Sequence, residues 1–425
     1  MRKNSTFKSL RKLLAEKSLL FYLLMVHRGI DDLLDDGEIH RYETRDRPQA
    51  IETRKKILIV GMSESPHLHS WLEGLAKSGL VNDVWLFPSD YPYRKIQNSF
   101  INVREFPYHF IGKPSLIVFR VLDILTNRLW RSYFLFREIK RVKPTHLHFH
   151  ETQNGAYMYN PIARHPKNCF KGKIILSTWG SDLIVYGKTQ SHLARIRKVL
   201  SWVDILTSER IEDLDISISN GYRNRFFAPI YISIGNRDAF LKLKKTSSRT
   251  LVLIKGYQHD FGRALNALAS IELLASKIDL SKFRFRVYSA SESVKLKVEL
   301  MKSQLLIDID ILPHMSKVEL QEYFREARVY LGLSISDGLS TSMVEAMSNG
   351  AFPIQSENSS APQFLKNWIS GGVVNPWRID EIMDLLSAAL FDDELVDRAS
   401  TINLNTLKNK FQWDVGLKKL AALYE

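Results

Sequence analysis

The stretch VYLGLSISDGLSTSMVEAMSNGAFPIQ, residues 329–355, decides the fold. VYLGLSI (329–335) is short, mostly apolar and bounded by turn residues, as a strand buried on both faces must be. It breaks at Asp337-Gly338, and the spacing predicts a helix that starts near Ser340 to Ser342. AFPIQ (351–355) is then a second short apolar run. Strand, glycine-containing loop, helix and strand make one βαβ unit, and such a unit implies a parallel sheet covered by helices.

The same alternation extends in both directions. TLVLIKG (250–256), FRFRVYSA (283–290) and IDILP (309–313) precede it as strands, with helices between. An earlier series reads KKILIVGM (55–62), DVWLF (83–87), THLHFH (145–150), KIILST (173–178) and VDILTS (203–208). Its helices are HSWLEGLAKSG, closing on Gly79 as a C-cap, an Arg- and aromatic-rich stretch at 120–142, and 190–202. PIYISIGNRDAFLKLKK (229–245) has no sustained period and reads as the connection between the series. The expected fold is α/β: two Rossmann-like doubly wound domains facing across a cleft, with an N-terminal basic helical extension. The boundaries expected are 1–54, 55–235, 236–405 and 406–425, the last a helix returning to the N-terminal domain. In doubly wound sheets ligands bind outside the carboxyl ends of the strands, so the site belongs there.

Composition narrows the class. At 425 residues the chain exceeds one ordinary domain, and 45% apolar with 25% charged residues is globular. A single cysteine, Cys169, allows no internal disulfide and no four-cysteine zinc site, which suits a reducing cytoplasm. The net charge of +14 calls for an anionic partner. No run approaches the ~18 apolar residues of a bilayer span; the longest near the N-terminus is Leu19 to Val26.

The loop and helix start at 336–345 carry the most chemistry. Free amides at a helix N-terminus, with the positive end of the helix dipole, form an anion site, and Gly338 lets backbone approach a phosphate. Asp337 and Glu345 bracket that turn, and carboxylates so placed accept the hydroxyls of a ribose or a second sugar. The same residues also read as helix capping, with Asp337 or Ser340 as the cap and Glu345 solvated. KGYQHDFGRALNAL (255–268) supplies two cations, Lys255 and Arg263. A guanidinium near a helix start can fork onto phosphate, or simply be solvated.

At these residues the sequence resembles the family 4 retaining glycosyltransferases, of the GT-B fold type. Their signature, Glu-x7-Glu followed by Ala-Met-x-x-Gly-x-Pro, reads here Asp337-GLSTSMV-Glu345-AMSNGAFPI. The resemblance continues through SENSSAPQF, VVNPWRIDEIMDLLSAALFDDELVDRA and the closing KFQWDVGLKKLAALYE, and covers 55–425 most strongly in its C-terminal half. It implies that Glu345 holds the nucleotide ribose and Asp337 the transferred sugar, with the Gly338, Leu339 and Ser340 amides beside them. Asp337, Arg263 and Lys255 are then the catalytic set, and Gly256 and His314 join the donor-binding one. Two departures stand out. The first acid is Asp rather than the usual Glu, and Tyr257 sits where the family tends to place Arg.

The resemblance implies a hexosyltransferase-type enzyme that moves a sugar from a nucleotide-sugar donor to a glycan or lipid-linked glycan acceptor in bacterial surface polysaccharide or glycolipid synthesis. Retention at the anomeric carbon is likewise implied. Two cations and a helix N-terminus can stabilise the leaving diphosphate without a metal cofactor. The Asp-x-Asp pairs Asp308/Asp310 and Asp213/Asp215 fall at the wrong end of a strand and in a surface helix. On the acceptor side stand His67, His150, and Ser181 and Asp182 of STWGSDL. His146, His148 and His150 alternate onto one strand face, a spacing open to a metal, to structural hydrogen bonding or, at His150, to the acceptor. Asp182 is equally a helix cap.

Rival readings are a catalytically silent nucleotide-sugar-binding subunit, supported by Asp337 and Tyr257, and nucleic-acid binding, which has only the net charge behind it. RLWRSYFLFREIKR (128–141) reads as a buried helix with a basic face rather than a nucleic-acid surface. Residues 1–28 carry Arg2, Lys3, Lys8, Arg11, Lys12, Lys17 and Arg28 against Glu16, with leucines at helical spacing. That pattern fits either a packed helix or docking on an anionic inner-membrane surface. No small-residue cleavage site follows, so a signal peptide is not expected. Residues 29–53 read as an acidic linker.

Overall fold

The computed structural model describes residues 55–63, 65–78, 83–89, 103–105, 123, 125, 126, 128–164, 170–231 and 243–425. The basic segment 1–28, the linker 29–53 and most of the connection 229–245 lie outside the described residues. Among the described residues thirteen strands form two parallel sheets. The first contains β1 (Lys56–Gly61), β2 (Asp83–Pro88), β3 (Val103–Glu105), β4 (His146–His150), β5 (Lys173–Thr178), β6 (Ile205–Ser208) and β7 (Arg225–Phe227), in the order β3-β2-β1-β4-β5-β6-β7. The second contains β8 (Leu251–Lys255), β9 (Arg284–Tyr288), β10 (Asp308–Ile311), β11 (Ala327–Gly332), β12 (Phe352–Ser356) and β13 (Gly372–Val374), in the order β10-β9-β8-β11-β12-β13. Both orders reverse direction at a central strand, as doubly wound sheets do. By their internal contacts the residues fall into two compact units, one running to 64 with Gly79–Ile175, the other Ser65–Ser78 with Leu176–Glu425.

The second sheet shows why its strands are apolar throughout. Val252 and Ile254 of β8 join Phe285, Val287, Leu331 and Ile354 in a core covered by the helices Ala264–Ala275 and Ile379–Phe391. Their neighbours Leu251 and Leu253 enter the opposite core with Tyr330, Met343, Val344 and Met347. Alternate side chains therefore meet two separate cores, each buried Leu, Val or Ile contributing ~1.5–3 kcal/mol. Three of the four edge strands, β3, β7 and β13, are three residues each. They carry too short a run to register as strands by pattern.

Helix Pro66–Lys77 begins at Ser65, whose hydroxyl accepts from the Leu68 amide at 3.5 Å, with Pro in the first turn. Its observed cap is Ser78, whose amide donates to Gly74 O, and the expected Gly79 cap lies outside the described residues. The C-terminal helix Trp413–Leu423 packs on this helix, with Trp71 Nε1 donating to Tyr424 Oη at 3.1 Å and Lys77 Nζ above the Trp413 ring. In the other unit, helix Leu129–Val142 buries Trp130, Leu135, Ile139 and Val142. Arg131 is buried too, its guanidinium held by Asp123 at 2.8 Å and by Ser89 O at 3.1 Å, so it leaves the exposed basic face. Among the described residues no helix is long and apolar enough to cross a membrane.

Candidate active site

The richest cluster sits at the carboxyl ends of β8 and β11. β8 ends on Lys255, and the chain must turn at once: a Cβ on Gly256 would fall 2.7 Å from the Ala290 Cα and 2.8 Å from Val287 Cγ1. Glycine there lets the Gly256 amide donate to Tyr288 O at 2.8 Å and its carbonyl accept from the Ser291 amide at 3.0 Å. Lys255 Nζ lies over the Tyr257 ring, 4.8 Å from its centroid. Burial would lower its pKa, but the charge on Asp337, followed by Tyr330, Tyr257 and Glu345, more than offsets this and raises it. Lys255 is therefore an ammonium at neutral pH, in the field of both members of the acid pair.

The β11 loop supplies the amides. Ser340 caps helix Thr341–Ser348, its hydroxyl accepting from Met343 N at 3.4 Å, and Glu345 is 9% exposed within that helix. Two bonds tie the loop to the segment after β12: Asp337 N donates to Asn358 O at 3.1 Å, and Ser360 N to Gly338 O at 3.1 Å. The hydroxyls of Ser336 and Ser360 are buried there without a hydrogen-bond partner. Buried polar atoms in that state mark a place built for a further hydrogen-bonding group. Asp337 and Gly338 are partly exposed, so the loop combines open backbone with a carboxylate.

Within the same unit the loops after β5 and β6 close on Asp337 and Gly338. Gly180 approaches so tightly that a Cβ would lie 2.2 Å from both Asp337 C and Gly338 N. Asp182 accepts from the Trp179 amide at 2.9 Å and so caps the short helix Gly180–Ile184, while Ser181 is partly exposed in its first turn. His67 stands 5.7 Å from the Trp179 ring, with Nδ1 4.0 Å from Glu209 Oε1. Glu209 Oε2 accepts from the Leu339 amide at 3.0 Å. Arg210, 7% exposed, donates to Asn358 O at 2.8 Å and Asp337 O at 3.4 Å. Glu209 and Arg210 are functional candidates that sequence reasoning missed. Their signal was a charged pair directly after the strand VDILTS, at the end where a parallel sheet binds ligands.

The remaining candidates are Arg263, His314 and His150, of which Arg263 stays at the carboxyl end of β11, its amide donating to Leu333 O at 3.1 Å. Arg263 turns its fork onto its own loop, donating to His259 O at 3.0 Å and Gly262 O at 2.5 Å, and stacks on Trp377 at 4.6 Å. His314 is exposed in the loop after β10. His150 ends β4 in the other unit, buried, with its ring 4.3 Å from that of His148. Burial first, then His150 and His146, hold His148 neutral; burial with Lys55 and Lys173 lowers His146 to about 4. Among the described residues no group of three His, Cys, Asp or Glu side chains could hold a metal ion. Asp213 is not a surface residue: it is fully buried, accepting from Thr178 Oγ1 at 2.8 Å and Ser208 Oγ at 2.6 Å.

Two doubly wound parallel sheets, with a glycine-containing loop, an acid pair and a lysine at the carboxyl ends of the second, are the architecture of the GT-B fold. Residues 238–403 match the family described as glycosyl transferases group 1. In structure the chain is similar to sucrose-phosphate synthase from Thermosynechococcus elongatus, at 12% identity and a TM-score of 0.66 over 87% of this chain and 98% of that one. It is similar also to HepE from Anabaena in complex with UDP and glucose, at 11% identity and a TM-score of 0.63 over 87% and 99%. A third is the trehalose-6-phosphate protein from E. coli bound with UDP-2-fluoro glucose, at 14% identity and a TM-score of 0.63 over 87% and 99%. Among curated proteins none matches the chain.

Proposed function

We propose that the protein transfers a hexose from a nucleotide-sugar donor to an acceptor hydroxyl, with retention and without a metal, in the synthesis of a bacterial surface polysaccharide or glycolipid. The observation that carries this reading is the placement of Lys255 at the end of β8 in the field of Asp337 and Glu345, the residues of the loop and helix that follow β11. An ammonium and a helix N-terminus suit a diphosphate, and the two carboxylates suit hydroxyls of the ribose and the transferred sugar. In the reaction the anomeric carbon–oxygen bond to the diphosphate breaks, its electron pair leaving with the phosphate. The acceptor oxygen bonds to the same carbon from the same face and passes its proton to the departing phosphate oxygen. Charge grows on the departing phosphate, where Lys255 acts most strongly.

UDP-hexoses are the first donors to examine, because two of the similar structures hold UDP with glucose or UDP-2-fluoro glucose. Retention has its own support in a further similar structure, of a trehalose-6-phosphate synthase, which concerns enzymatic glycosyltransfer with retention. The acceptor is a glycan or lipid-linked glycan, met at the cytoplasmic face of the membrane through the basic residues 1–28. A panel of nucleotide sugars scored by protection against thermal unfolding tests the donor assignment. A donor at 100 times its Kd should stabilise the protein by about 2.7 kcal/mol. Absence of protection by every nucleotide sugar refutes the assignment. Protection without turnover on any glycan or lipid acceptor would instead make the chain a silent donor-binding subunit.

A further inference from the structure

We propose that Glu209 is a gate on the donor's diphosphate. Its carboxylate occupies the Leu339 amide that a phosphate oxygen of the donor takes, so that the donor binds by displacing it. The inference rests on the reading of this loop as the donor site. Glu209 Oε2 accepts from Leu339 N at 3.0 Å, the geometry of a charge-assisted hydrogen bond. The same oxygen lies 2.8 Å from the position a Cβ would take on Gly338. The carboxylate thus fills the space that glycine leaves open, with the one oxygen chemistry, anionic and planar, that a phosphate oxygen would replace. Two further hydroxyls at the loop, Ser336 and Ser360, are buried and unpartnered, so the place holds more donors than the carboxylate uses.

The gate has a hinge. Arg210 anchors the loop independently, through Asn358 O at 2.8 Å and Asp337 O at 3.4 Å. Glu209 can therefore leave the amide by turning its side chain, with the backbone held. Its side chain is 20% exposed, and while Oε2 holds Leu339 its other oxygen, Oε1, stands 4.0 Å from His67 Nδ1. An anion and the carboxylate cannot share one N–H, and their like charges repel. The apparent affinity of the donor is accordingly reduced by the fraction of molecules in which Glu209 is seated.

Inorganic pyrophosphate, titrated calorimetrically into the full chain, tests both the gate and the site beneath it. Glu209→Gln keeps shape and loses charge, and Glu209→Asp keeps charge but loses the reach to Leu339. Each should tighten pyrophosphate binding by about threefold to tenfold, while Lys255→Met weakens it. If Lys255→Met weakens binding but neither Glu209 variant tightens it, the gate is overturned and the donor site stands. Tightening by Glu209→Gln alone makes the effect one of net charge and also overturns the gate. Pyrophosphate binding that is absent throughout, or indifferent to Lys255, overturns the site and the gate with it. Thermal unfolding of each variant checks that the fold is intact.

Discussion

Replacing Lys255 with Met removes one charge and keeps an unbranched chain against the Tyr257 ring, so the effect on catalysis can be separated from that on folding. At an effective dielectric near 20, a unit charge ~4 Å from a phosphate oxygen is worth about 4 kcal/mol, and solvent screening at this partly exposed position trims that figure. Because the charge on the leaving group grows in the transition state, most of the loss should appear in kcat, for a fall in kcat/KM of about 100- to 1000-fold. Release of nucleoside diphosphate, followed by a coupled assay under single-donor conditions, reads this directly, and thermal unfolding should shift little. The pH profile adds a sign. The Lys255 pKa is raised above the ordinary 10.5 of lysine. Its charge is then complete below that value and is lost only as pH climbs through the higher folded-state pKa. Any alkaline limb between pH 7 and 10 should therefore persist in the Met variant. A fall in kcat/KM below about threefold, or an alkaline limb in that range that vanishes with Lys255, refutes the reasoning.

Glu345→Ala should cost donor affinity ~1–3 kcal/mol in a calorimetric titration with UDP, with the helix still formed, because the residue lies inside Thr341–Ser348 and not at its cap. Gly180→Ala places a methyl 2.2 Å from the backbone of Asp337 and Gly338, so both melting temperature and kcat/KM should fall; a variant with both unchanged would show that the loops give way freely. Burial raises the pKa of Asp213, so its ionised form is unfavourable in the fold and stability should decline as pH rises through that value. Asp213→Asn, which still accepts from Thr178 and Ser208, should flatten this decline in denaturant titrations run upward from the ordinary aspartate pKa of 3.8, whereas Asp213→Leu should lose ~1–3 kcal/mol for each unmatched hydroxyl.

What the sequence disclosed and what it concealed separate along a physical line. Strands such as Leu251–Lys255 and Ala327–Gly332 were legible because burial on both faces forces a near-continuous apolar run. The three-residue edge strands were not, since an edge needs only a few ladder bonds and no apolar signature. The acid pair and its glycine could be read for the same reason as the strands: strand, loop and helix impose their order on neighbouring residues. Glu209 and Gly180 are different. Each acquires its meaning only from Gly338 and Leu339, far along the chain, and no local period records that a carboxylate ends beside one particular amide. Arg263 marks the converse limit. A guanidinium at a helix start has the right charge for phosphate, but its terminal nitrogens donate to the carbonyls of its own loop and it lies on the face of Trp377, with only Nε left without a partner. Lys255 has no such local alternative: the ring beneath it accepts no strong hydrogen bond, and the acids that raise its pKa lie in the loop and helix that follow a neighbouring strand. That asymmetry makes the lysine, and not the arginine, the cation to remove first.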